Sequence, residues 1–260
     1  MIRLNGDNYK VIYLDTNILR ATLEMSEDIH LGTLSLLGKK SIYAISIITL
    51  VEFSHKAELL ESFKKFIHTI PLLILKPFKQ ILQIELEKRD SNVRIDDLIL
   101  LISNPLQPQV MNEICEYLES DTFFATCKLL KEDQTETYQR IEKEIESERD
   151  FICSPEEFVR KRVSAANNIE LNYTLNDRKI LSLKIVNLLL YYTYKERRKK
   201  AERSAPFDFL ISSAVPYVDM FITENSQAKS LEMIKQNHKV FRGIDIKVMK
   251  DLRNARKYDA

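Results

Sequence analysis

A carboxylate that closes an apolar strand is the first feature of this chain with the chemistry to act. Val11-Ile-Tyr-Leu14 is a short, apolar, β-rich run, and it ends on Asp15. Such a run reads as a buried strand. In open parallel sheets ligands gather at the carboxyl ends of strands, where helix N-termini also point. Asp15 is therefore placed to hold a metal ion or to face a phosphate. Aspartate also caps turns and helices, so capping is the competing reading. A second feature is basic. Lys195, Arg197, Arg198, Lys199, Lys200 and Arg203 stand against only Glu196 and Glu202. That is a local charge of +4 in a chain whose formal net charge is +1. Lysine and arginine hold phosphates, and the preceding Tyr191, Tyr192 and Tyr194 are of a type that stacks on bases. A solvated helix end, its cations favoured by the helix dipole, competes with that reading. Arg160, Lys161 and Arg162 form a weaker basic patch.

Other reactive types give less. His30, His55, His68 and His238 are scattered and suggest no nucleophile–histidine relay. Cys115, Cys127 and Cys153 form no C-x-x-C pair and have no histidine at ligand spacing, so neither a disulfide framework nor a zinc site is expected. With four glycines in the chain there is no Gly-rich phosphate loop, and a turn-rich all-β fold is disfavoured. No apolar run is long enough to span a bilayer, and the first residues lack the apolar stretch of a secretory signal. A soluble, cytoplasmic protein without a membrane partner is the expectation.

The elements that must position Asp15 can be read from pattern. Strands are expected at 11–14, 41–45 and 72–75, with a helix over 26–38 stopped by Gly38. Ser46 is a natural N-cap for one long helix whose stripe is Leu50, Phe53, Ala57, Leu60, Phe63 and Ile67. Pro77 sits where a further helix begins. Nearly everything from Phe78 to Lys200 then reads as helix. Residues 131–150 form a solvated, mixed-charge face, and residues 180–194 a buried helix. Near Pro206 the α/β pattern resumes, with a short helix at 208–215, a strand at 220–222, a helix at 226–235 and a strand at 244–248. Alternating strands and helices predict a parallel sheet.

Four segments, in order, resemble the motifs of the PIN family of nucleases. Leu14-Asp15-Thr16-Asn17 resembles the opening motif. Ser46-Ile-Ile-Thr49-Leu-Val-Glu52-Phe53 resembles the second, and Asp208-Phe-Leu-Ile211-Ser-Ser-Ala214 the third, a helix opened by Asp. Phe221-Ile222-Thr223-Glu224-Asn225 resembles the strand-end motif. Together they touch about half the chain, roughly 9–76 and 204–250, by the motif logic of short signatures read in context. The resemblance implies a PIN-like parallel sheet flanked by helices, with a mostly α-helical insertion. The discontinuous domain would comprise 1–76 and 201–260, and the insertion 77–200. It implies a metal-dependent endonuclease, most often an endoribonuclease, with Asp15, Glu52 and Asp208 as catalytic and metal-binding carboxylates.

Hard oxygen ligands without Cys or His select Mg²⁺ or Mn²⁺. Asn225 matches a position where many active members carry Asp, and it adds no charge; Asp219 and Glu224 are the nearby candidates to supply one. Thr16 and Asn17 are expected to orient Asp15, with Ser212 and Thr223 in support. The partner implied is nucleic acid, RNA before DNA. The middle segment offers room for substrate recognition, an inhibitor protein or a homodimer contact, and its residues do not choose among them. A rival reading is a catalytically weak or inactive PIN-like scaffold that binds RNA or a partner protein, and Asn225 favours it. A phosphotransfer enzyme of the haloacid dehalogenase kind also opens its site with Asp at a strand end. Here Asn17 stands where its second Asp would be.

Overall fold

The structure is a computed structural model that describes residues 1–4, 6–24, 40–88, 93–148, 154–160, 180–196, 205–238, 240 and 243–251. Its centre is a seven-stranded sheet: β1 (Ile2–Leu4), β2 (Asp7–Leu14), β3 (Ser41–Ser46), β4 (Leu72–Leu75), β5 (Ile99–Ser103), β6 (Met220–Thr223) and β7 (Asp245–Val248). The order is β5-β4-β3-β2-β6-β7, and β1 pairs antiparallel with the start of β2. Pairs β2·β3, β3·β4, β2·β6 and β6·β7 are parallel. The fold is α/β with a mostly parallel sheet flanked by helices.

Both faces of β2 are buried, as strands in parallel sheets require. Val11 and Tyr13 enter one core and Ile12 and Leu14 the other. The second core is covered by α1 (Thr16–Leu23), α2 (Ile47–Phe53), α3 (Ala57–Ile67) and α6 (Pro108–Glu119). The first is covered by α4 (Phe78–Glu87), α8 (Leu181–Leu190), the 3₁₀ turn Ser212–Tyr217 and α10 (Asn225–Asn237). Between them in sequence lie α5 (Ile95–Leu98), the 28-residue α7 (Asp121–Glu148) and α9 (Ala205–Ile211).

Three expectations change. The long helix after Ser46 is two helices. Ser46 does cap the first, accepting from the Ile48 amide at 3.1 Å. The Ser54 hydroxyl then donates to the Val51 carbonyl at 2.7 Å, and Lys56 turns extended before α3. Ala57, which spacing places on the core stripe, is exposed. The helical reading of 78–200 omitted β5, which adds an antiparallel edge to β4. A short apolar run such as Leu98-Ile-Leu-Leu-Ile102 does not separate strand from helix by periodicity. Nor are the described residues of 77–200 an appendage. β5 extends the sheet, and every residue of α8 is buried against the same core. The expected helix at 26–38 lies outside the described residues. Among the described residues no helix is long and apolar enough to cross a membrane.

Candidate active site at the carboxyl edge of the sheet

Parallel pairing brings the ends of β2, β3 and β6 to one edge. Leu14 pairs with Ile222, and the Asp15 amide donates to the Ile222 carbonyl at 3.0 Å. Asp15 therefore lies beside Thr223, although 208 residues separate them. Its backbone is extended and stands at the N-cap of α1, but its side chain makes no capping bond. The carboxylate turns instead into the sheet edge. Oδ2 accepts the Thr223 hydroxyl at 2.7 Å, and Oδ1 is buried without a hydrogen-bond partner among the described residues. The residue is 1% exposed. Burial pushes its pKa up to about 6, and the like charge of Glu224 adds to the rise. The Thr223 hydroxyl and the peptide N–H groups of Thr16 and Glu224 pull the other way.

Glu52 rides on α2 and is half-buried. Its pKa is pushed to about 7, first by burial and further by the charge of Asp15, while the Thr16 hydroxyl opposes the shift. That hydroxyl donates to Glu52 Oε2 and lies 3.2 Å from the Thr49 hydroxyl. The side chain of Thr16 thus fixes Glu52 rather than Asp15, and Thr223 is the residue whose side chain holds Asp15. Asn17 is half-buried and makes no hydrogen bond to the Asp15 carboxylate. Two adjacent residues cannot both face Asp15 from a helix start; Thr16 points across to α2.

Asp208 lies in the first turn of α9, where a carboxylate suits the helix dipole. The helix opens three residues earlier than its motif suggested. Gln227 brings this element to Asp15. Its Nε2 donates to the Asp208 carbonyl at 3.0 Å and to the Ser212 hydroxyl at 2.6 Å. Its Oε1 accepts the Thr223 hydroxyl. Ser212 is fully buried and donates to the Asp208 carbonyl at 2.8 Å, so it braces the helix behind the edge. Gln227 and Thr49 were not expected as site residues. The four-residue step from Thr223 to Gln227, which stacks the two across a helix start, was the signal that could have found Gln227.

The remaining candidates divide. Glu224 is exposed at the N-cap of α10, and Asp15 feels its charge. Asn225 is exposed and lines an open groove of about 450 Å³ between α10 and β7, with Lys229, Met233 and Val248. Asp219 is removed from the site. It precedes β6 at the amino edge, where it accepts the Val11 amide at 2.8 Å and pairs with the N-terminal amine of Met1 at 2.8 Å. A four-residue strand separates it from the Asp15 edge by roughly 13 Å. Arg197, Arg198, Lys199, Lys200 and Arg203 lie outside the described residues, as do Lys161 and Arg162. Lys195 lies in the π-helical turn Tyr191–Glu196. Tyr191 and Tyr192 are buried in the core, Tyr192 against His238 at 2.8 Å, and are not offered to bases. The fold also places His68 Nε2 3.5 Å from Cys115 Sγ, a pair that sequence spacing hid.

Comparison of the chain with protein-family models, with curated proteins and with solved structures gives no match. The case for a cation rests on the site itself. Among the described residues no three Asp, Glu, His or Cys side chains close into a metal-holding group. The donors nonetheless fit a hard divalent ion. Asp15 Oδ1 is a buried carboxylate oxygen without a hydrogen-bond partner among the described residues. Beyond the effect of burial, the charge of Glu224 raises the proton affinity of Asp15, and the charge of Asp15 raises that of Glu52, so a bound cation would relieve the repulsion.

Proposed function

We propose that this chain is a Mg²⁺- or Mn²⁺-dependent endonuclease of PIN-like fold, acting on RNA. The observation that carries the reading is Asp15: a buried carboxylate at the carboxyl end of the central strand, with one oxygen unpartnered among the described residues, its pKa raised by burial and by the like charge of Glu224, and its own charge adding to the rise at Glu52. The mostly parallel sheet and the order of the four motifs support the same family. Asp15, Glu52 and Asp208 would hold the ion, with Glu224 near enough to add charge. Such an ion supplies an activated water and neutralises charge on the phosphate under attack. The protein's own part is orientation. Thr223 holds Asp15 through Oδ2 and leaves Oδ1 free, while Thr16 holds Glu52. The sheet fixes the strand end that carries Asp15, and the Thr16 hydroxyl fixes Glu52 on α2, so both carboxylates would be oriented before a substrate arrives.

A second reading, a PIN-like scaffold that binds RNA or a partner protein without cleaving, is favoured by Asn225, which is exposed and uncharged at the fourth motif position. One experiment separates them. A panel of single-stranded and structured RNAs and DNAs is incubated with Mg²⁺, Mn²⁺ or chelator. RNA cleavage that needs the ion supports the enzyme; salt-sensitive RNA binding with no cleavage supports the scaffold. Neutralising Arg197, Arg198, Lys199 and Lys200 should flatten the salt dependence of RNA binding by up to about one log-log slope unit per lost phosphate contact. It should raise KM more than it lowers kcat. An unchanged slope would leave that segment a solvated helix end.

A further inference from the structure

We propose that Gln227 is a positioning residue that joins Asp15 to the Asp208 helix and sets the geometry in which a divalent cation binds. The inference rests on the metal-site reading above and goes beyond it, because none of the four motifs contains Gln227. Its side chain reaches α9, the 3₁₀ turn Ser212–Tyr217 and the end of β6. Nε2 reaches the Asp208 carbonyl at 3.0 Å and the Ser212 hydroxyl at 2.6 Å, while Oε1 takes the Thr223 hydroxyl. Thr223 in turn lies 2.7 Å from Asp15 Oδ2. The path Asp15–Thr223–Gln227–Asp208 therefore crosses from the end of β2, through the end of β6 and the first turn of α10, to α9.

The orientation of the amide is dictated by chemistry. A peptide carbonyl only accepts, so the nitrogen of Gln227 must face Asp208 and its oxygen must face Thr223. The Thr223 hydroxyl carries a single proton and stands between two acceptors, Asp15 Oδ2 and Gln227 Oε1. Gln227 competes for that proton and loosens the hold of Thr223 on Asp15. The carboxylate is kept in place yet incompletely satisfied, which is the state a cation stabilises most. Partners that orient ligand carboxylates in this way typically matter tenfold to a hundredfold in metal affinity.

The test measures Mn²⁺ binding directly, by titration calorimetry and by the electron paramagnetic resonance signal of free Mn²⁺. Gln227→Met keeps length and removes all three polar contacts. Ser212→Ala removes one anchor of the amide with less disturbance. Wild-type protein should bind Mn²⁺. Gln227→Met should bind it roughly tenfold or more weakly, and Ser212→Ala a few-fold more weakly. Melting in chelator should change little, and cleavage lost by Gln227→Met should return in part at high Mn²⁺. If the wild type binds Mn²⁺ and Gln227→Met binds it equally, the role of Gln227 is overturned and the metal site stands. If the wild type binds none at millimolar Mn²⁺, both fall. Should Gln227→Met not fold, unchanged binding by Ser212→Ala overturns the proposal.

Discussion

Two buried carboxylates in this molecule live under opposite terms. Glu85, on α4, is 4% exposed, yet each of its oxygens has donors. The Ser182 amide reaches it at 2.8 Å, and the hydroxyls of Ser182 and Tyr217 complete the set. Burial raises its pKa, and those hydrogen bonds oppose the rise. Glu85 therefore pins α4 to α8 and to the 3₁₀ turn Ser212–Tyr217. Asp15 is buried as deeply, but one side-chain hydroxyl reaches Oδ2, Oδ1 has no hydrogen-bond partner among the described residues, and the peptide N–H groups of Thr16 and Glu224 only partly offset burial and the Glu224 charge. A satisfied buried acid belongs to the architecture; an incompletely satisfied one beside a like charge is the kind of group the proposed cation would stabilise.

The sharpest test of that contrast is exchange of charge at each position. Asp15→Asn should reduce RNA cleavage on the order of 10³-fold, the range for losing an electrostatic group at a reacting centre. It should leave melting in chelator unchanged or slightly raised, since one charge leaves a repelling cluster at nearly constant shape. Full cleavage by this variant would count against a metal role for Asp15. Glu85→Leu should do the reverse. It strands the Ser182 amide and hydroxyl and the Tyr217 hydroxyl, at a cost of about 3 kcal/mol. That corresponds to a fall in melting temperature of roughly 6–12 °C for a chain of this size. An unchanged melting temperature would mean that Glu85 is not the anchor the geometry makes it.

A smaller effect concerns pH without metal. Asp15 and Glu52 hold their protons more tightly folded, at about 6 and about 7, than at their ordinary values of 3.8 and 4.5. Between those values the folded chain binds more protons than the unfolded one, so stability falls as pH rises. The contribution is whole below about pH 4 and is lost through pH 6–7, with Asp15 accounting for on the order of 3 kcal/mol. Denaturant midpoints in chelator should be higher at pH 5 than at pH 8, and Asp15→Asn should reduce the difference. Mn²⁺ at pH 8 should restore the midpoint, because an ion that binds only the folded chain stabilises it by mass action. A flat profile with no Mn²⁺ effect would count against Asp15 as a buried, incompletely satisfied acid that a cation stabilises.

Much of the frame was legible because it is local. The strands at 11–14, 41–45, 72–75 and 220–222 are apolar runs bounded by polar residues, and the helix of Phe78–Glu87 begins after Pro77, as expected. The expected helix at 180–194 is present as α8 and the π-helical turn after it. The break at Ser54–Lys56 was not legible, since Leu50, Phe53, Leu60 and Phe63 keep a helical stripe across it. Asp219 and Glu224 looked equivalent in sequence, one on each side of a four-residue strand. Strand direction sends them to opposite edges.

Residue type and order in the sequence determined which chemistry is available: oxygen donors at strand and helix starts, no cysteine–histidine metal pattern, and an Asp closing an apolar strand. These follow from side-chain composition and from the period of burial, which need no knowledge of distant contacts. The tertiary structure decided which of those oxygens meet. Parallel pairing of β2 with β6 set Thr223 on Asp15, the hydroxyl of Thr16 tied the start of α1 to Glu52 on α2, and Gln227 bridged to the Asp208 carbonyl from 19 residues away. The sheet register, fixed by two buried cores acting on alternate side chains, brings residues of different segments within hydrogen-bond reach, and no local pattern carries that information.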